Sequence, residues 1–176
     1  MEQKNWMELM IKETQVQQIL EMNPFTSKYG LVLTEEDSKV LVAERKESLK
    51  KERRIEFGES ILSKIIYAFC DSTWINQSDY RETLIRLQDI FYLYKNEMLD
   101  EITDDELIAF MRQQFEDVCG GDLDYLENTC LDVFAQAIRA GYKDYQVNGG
   151  QGENAKFDLT RRWDRELYLA ALEEVN

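Results

Sequence analysis

Three thiols and a large excess of carboxylates are the groups in this chain that could do chemistry, because it has no histidine. Histidine is the side chain best placed to move protons near neutral pH, and the commonest metal ligand. Its absence removes Ser-His-Asp and Cys-His dyads, HExxH metalloproteases and nearly all catalytic zinc sites. The thiols are Cys70, Cys119 and Cys130, an odd number without the spacing of a disulfide framework. Cys119 lies beside Gly120-Gly121 at a helix end, and Cys130 about one turn into the following helix. A two-thiol redox or metal pair therefore has its residues. But no CxxC occurs, and acids nearby raise a thiol pKa rather than lower it. The spacing reads as three buried free thiols, with no metal and no cofactor.

The carboxylates are densest from Glu97 to Asp132, where twelve acids face the single Arg112. Such a stretch can meet a basic partner or hold a hard cation. Asp104, Asp105, Glu106, Asp122 and Asp124 also stand where helix starts favour negative charge. An EF-hand frame fails: from Asp117 the third position is Cys119, the sixth Asp122 and the twelfth Asn128, where the loop needs an oxygen ligand, glycine and glutamate. Acids alone can supply both roles of a glycosidase, but no spacing selects a pair. Gly149-Gly150-Gln151-Gly152 is not a P-loop, because no Gly-Lys-Ser/Thr follows. The basic run Arg45 to Arg54 is interleaved with Glu44, Glu47 and Glu52. It reads as a solvated helix face laced with (i, i+3) and (i, i+4) pairs.

Acids outnumber bases 35 to 21, for a net charge of −14. That opposes nucleic-acid binding, which needs cations against phosphates, and opposes docking on an anionic membrane. No apolar run approaches the ~18 residues of a transmembrane helix. The first 22 residues carry Glu2, Glu8 and Glu13, unlike a signal peptide. With reduced thiols, this points to the cytoplasm.

The elements that must position these groups are helices. One proline and eight glycines leave few interruptions in 176 residues. Trp6, Met7, Met10, Ile11, Val16, Ile19 and Leu20 lie at helical spacings before Asn23-Pro24. Thr34 caps a helix running to about Arg54, with Glu35, Glu36 and Asp37 in its first turn. Ile61, Leu62, Ile65, Ile66, Phe69 and Cys70 form the stripe of the next, opening near Gly58. Tyr80, Leu84, Leu87, Phe91, Tyr94 and Met98 make a heptad-like seam behind a Ser78 or Asp79 cap. Thr103 and Glu106 form a capping box, and Gly120-Gly121 ends that helix. Asp122 caps another, with Leu126, Cys130, Val133, Phe134, Ala137 and Ile138 on its apolar face. Residues 148–156 then read as a glycine-rich linker. Past it, Leu159, Trp163, Leu167, Ala170 and Ala171 share one face.

The stretches Leu33-Thr34-Glu35-Glu36-Asp37, Arg54-Ile55-Glu56-Phe57-Gly58, Phe69-Cys70-Asp71-Ser72 and Phe91-Tyr92-Leu93-Tyr94-Lys95-Asn96-Glu97, with Arg45, resemble an uncharacterised family of clostridial and related Gram-positive proteins. The resemblance spans roughly residues 30 to 140. It implies a bacterial cytosolic origin, and neither an activity nor functional residues.

The expected fold is all-α: an irregular bundle of about six or seven helices over 1–147, a linker over 148–156, and an amphipathic C-terminal helix over 157–176. The balance of residues weighs against an enzyme. The leading function is an interaction or regulatory protein that docks a partner through an apolar groove with an acidic rim. The alternative is a carboxylate-dependent enzyme. Trp163, Leu167, Arg161 and Arg162 are the interaction candidates at the C-terminus, and Asp104, Asp105, Asp122 and Asp124 in the acidic half. The partner is a protein, with a second copy of the chain open as an option, rather than a nucleic acid or a membrane.

Overall fold

The computed structural model describes residues 2–56 and 60–140. Their regular elements are all helices, with no strand among them, in keeping with the scarcity of Pro and Gly. The expected linker over 148–156 and the C-terminal helix lie outside the described residues. The helices fall into two compact units, residues 1–92 and residues 93 onward.

In the first unit, α1 (Glu2–Leu20) ends just before α2 (Asn23–Thr26), a single turn with Pro24 at its start. There the missing proline N–H costs no helical hydrogen bond. Gly30 takes a left-handed φ of 79° and reverses the chain. Leu31-Val32-Leu33 is extended but joins no sheet. Side-chain amides satisfy its backbone instead. Asn23 accepts from Leu33 N at 2.9 Å and donates to Leu33 O at 2.8 Å. Gln77 does the same for Val32, at 2.7 and 2.9 Å. Leu31 and Leu33 are buried while Val32 is exposed, the alternation of an extended segment.

α3 (Glu35–Lys51) opens on a reciprocal cap. Thr34 Oγ1 accepts from Asp37 N, and the Asp37 carboxylate accepts from Thr34 N, each at 3.0 Å. The helix stops at Lys51 rather than Arg54, because Arg53 takes a left-handed φ of 56°. α4 (Ile61–Phe69) is capped by Ser60, whose Oγ accepts from Leu62 N at 3.2 Å. Five of its nine residues are buried, so it is a core helix. α5 (Tyr80–Glu97) follows a 3₁₀ turn over Gln77–Asp79. Its seam is buried as the spacing predicts: Leu84, Leu87 and Ile90 have no exposed surface, and Tyr80, Phe91 and Tyr94 very little.

In the second unit α5 ends at Glu97, and Leu99 and Asp100, both left-handed, lie in the turn that follows. Thr103 then caps α6 (Asp104–Asp117), accepting from Glu106 N at 3.1 Å. Gly120 and Gly121, with φ of 56° and 85°, turn the chain. α7 (Leu123–Tyr125) passes through a π turn over Leu126–Cys130 into α8 (Leu131–Arg139). Asp122 caps α7, accepting from Asp124 N and Tyr125 N at 3.0 and 3.2 Å. Phe110 stacks on Phe134 at 3.8 Å between ring centres, a central contact of this core.

Candidate functional site

The first half of α1 breaks the rule that an amphipathic helix turns its apolar face to the core. Val16 and Ile19 are buried, and they define the inward side of the helix. At about 3.6 residues per turn, Met7 and Met10 then project away from the core, with Trp6 beside them. Trp6 is 63 % exposed, Met7 58 % and Met10 46 %. Leu9 and Ile11 flank this stripe and are half-exposed too. Five neighbouring large apolar residues thus meet solvent on one helix. Scattered exposed apolar residues need no explanation, but a contiguous patch marks an interaction site.

Beneath the stripe, α1 and α3 enclose a groove of about 770 Å³. Its apolar lining includes Leu9, Ile11, Val42 and Leu49. Its charged lining carries both signs, Glu8 and Glu47 with Lys12 and Lys46. The acids read from the sequence as interaction candidates belong to the second unit and serve its helix starts. Asp122 is a cap, Asp104, Asp105 and Asp124 are first-turn residues, and Asp104 also pairs with Lys95 at 2.9 Å. Among the described residues, no cluster of three or more Cys, Asp and Glu side chains could hold a metal ion. Trp163, Leu167, Arg161 and Arg162 lie outside the described residues.

At one end of the groove stands a buried ionic cluster. Arg45, read from the sequence as part of a solvated face, is buried and pairs with Glu56 Oε2 at 3.1 Å. The Tyr92 hydroxyl donates to the same oxygen. Glu56 Oε1 accepts from Ile61 N at 2.9 Å, which anchors the start of α4. Burial first, and then the Glu56 carboxylate, push the Tyr92 hydroxyl far above the ordinary tyrosine pKa. Arg45 is positioned because it sits on the inner stripe of α3, in step with Ser38, Leu41, Val42 and Ser48. That spacing was the signal that it would be buried. The basic residues around it masked the signal.

Lys95 is the counterpart in the second unit. Its side chain is only 7 % exposed, and its ammonium donates to Ile102 O at 2.7 Å while pairing with Asp104. It ties the end of α5 to the start of α6. Each cluster works as a structural tie, and Arg45 also lines the groove. Among the described residues, the outward stripe of α1 is a run of large apolar side chains on one helix that the core does not use.

Comparison with known proteins places the chain in a family without adding chemistry. The model of a family of unknown function, DUF6323, matches residues 18–144. The chain belongs to DUF6323. No curated protein and no solved structure matches it. The stripe on α1 precedes the part of the chain that DUF6323 covers, whereas Arg45, Glu56, Tyr92 and Lys95 fall within it. No helix among the described residues is long and apolar enough to cross a membrane.

Proposed function

We propose that the protein is a docking module of the bacterial cytosol whose α1 stripe receives an amphipathic helix from a basic partner protein. The observation that carries this reading is the outward face of Trp6, Met7 and Met10. Anchors at i, i+1 and i+4, flanked by Leu9 and Ile11, suit a helix laid alongside. Trp and Met favour such a surface, the first as a large anchor and the second as an adaptable one. The stripe itself is apolar, so charge sets which partner arrives rather than how it is gripped. A net charge of −14 steers a cationic partner, and repels both an anionic membrane and a second copy of this chain. The reducing compartment is supported by three cysteines without a disulfide framework.

A photo-crosslinking residue at position 10 tests this in the native host. The expected result is one discrete adduct with a basic protein, lost when Trp6→Ser and Met7→Ser are added. A crosslinker at the exposed Glu36 is the control. No adduct at position 10, or the same adduct from position 36, overturns the reading. An adduct of twice the chain mass replaces the basic partner with a second copy. An adduct within the chain to residues 158–175 replaces it with the segment that carries Trp163, Leu167, Arg161 and Arg162.

A further inference from the structure

The turn between α6 and α7 brings two thiols together. Cys119 Sγ and Cys130 Sγ lie 3.7 Å apart across eleven positions of sequence. We propose that this pair is an oxidation site, which closes to an intrachain disulfide when the protein meets hydrogen peroxide. Cys70 takes no part.

Local structure gives the pair unequal roles. Cys119 is partly exposed, and it sits on the turn after α6 rather than in the helix. Cys130 is buried, with 4 % of its surface exposed, and is the last residue of the π turn. A π turn inside an α-helix is uncommon and recurs at functional sites. Here the wide turn, with Leu131 N bonded to Leu126 O, ends on the sulfur that faces Cys119. The oxidant therefore reaches Cys119 first, and Cys130 resolves the product.

The steps balance. The Cys119 thiolate attacks one peroxide oxygen and the O–O bond breaks. Cys119 becomes a sulfenic acid, and the other oxygen, which keeps its own hydrogen, leaves as water after taking the proton released by the thiol. The Cys130 sulfur then attacks the sulfenic sulfur. The S–S bond forms, the S–O bond breaks, and the hydroxyl departs as water with the Cys130 proton. Two electrons pass from the two thiols to one peroxide. The sulfurs must close from 3.7 Å to about 2.05 Å. Gly120 and Gly121, both already left-handed, give the Cys119 side of the turn room to make that approach.

The surroundings fix the kind of site. Cys119 follows the negative end of α6 and stands in sequence among Glu116, Asp117, Asp122 and Asp124, with no histidine, lysine or arginine in the turn. With no general base in the turn, the pair is a staple formed under sustained oxidant rather than a turnover centre.

The test uses the full chain, reduced and then exposed to hydrogen peroxide, with denaturation and alkylation before mass analysis. The expected product is monomeric, has lost two hydrogens, and shows one alkylated thiol where the reduced chain shows three. Digestion should join the peptides of Cys119 and Cys130. Dithiothreitol should restore three thiols. Cys130→Ser should leave Cys119 as a sulfenic acid that dimedone traps, and Cys70→Ser should form the same disulfide with no alkylated thiol left. Three thiols surviving peroxide, a disulfide that includes Cys70, or only intermolecular disulfides would overturn the proposal.

Discussion

The first half of α1 and the middle of α5 look alike as sequence and behave as opposites in the fold. Each repeats large apolar residues at three- and four-residue steps. In α5 the repeat is buried: Leu84, Leu87 and Ile90 are sealed from solvent. In α1 the repeat faces water, with Trp6, Met7 and Met10 roughly half exposed or more. The difference lies in what covers each stripe. Along α1 the groove toward α3 is lined by Asn5, Glu8, Lys12 and Gln15 together with Leu9 and Ile11, and only Val16 and Ile19 are buried in the core. Periodicity shows that a helix has an apolar face. It does not show whether the chain itself supplies the other half of the contact.

The largest effect expected from this contrast is in α5. Leu87→Ala should cost about 2–5 kcal/mol, from lost burial plus the cavity left behind. Urea melts read it directly, and a loss under about 0.5 kcal/mol would put the α5 seam among ordinary surface positions.

The same burial predicts an alkaline response. The Tyr94 hydroxyl donates to the Glu127 carbonyl. Burial, and then the charges of Asp132, Glu127 and Glu97, raise its pKa to about 12. Tyr80 and Tyr92 are raised as well, chiefly by burial. The folded state therefore keeps these protons where the unfolded chain releases them. Their contribution is fully present below pH ~10, the ordinary tyrosine value. For Tyr94 it is lost as pH climbs from there through about 12. Ultraviolet titration should show fewer tyrosinates in the native protein than in urea at pH ~11. Coincident curves would show that α5 does not shield its tyrosines.

A smaller effect should run the other way. Gln88 is fully buried in α5, and neither its amide nitrogen nor its oxygen has a partner among the described residues. Gln88→Leu removes two unmet hydrogen-bonding groups at similar volume and should stabilise the protein by about 1 kcal/mol. Destabilisation would show that the amide is satisfied in solution.

How much of this was legible in the sequence follows the same division. The caps Thr34, Thr103 and Asp122, the α5 seam and the Gly120-Gly121 stop could be read, because each depends on residues within a turn or two of one another. The burial of Arg45 was legible in its spacing with Leu41 and Ser48, but its partner was not, since Glu56 lies beyond the end of α3 and only the fold brings them together. Lys95 was missed for a similar reason: its main acceptor, Ile102 O, is a backbone atom that no side-chain pattern reveals. The thiol pair was legible as residues but not as a distance, which depends on the π turn. The acids Asp104, Asp105, Asp122 and Asp124 drew attention as a charged surface, yet each has a local task at a helix start.

The claim that one apolar stripe is core and the other is an interface is tested most directly on α1 itself. The triple variant Trp6→Ser, Met7→Ser, Met10→Ser should unfold in urea within about 0.5 kcal/mol of the parent, because these side chains bury little, while losing the position-specific adduct at α1. For that last readout the crosslinker moves from position 10 to Ile11, which flanks the stripe. A loss of more than about 2 kcal/mol would contradict the account, because a cost of that size belongs to buried side chains.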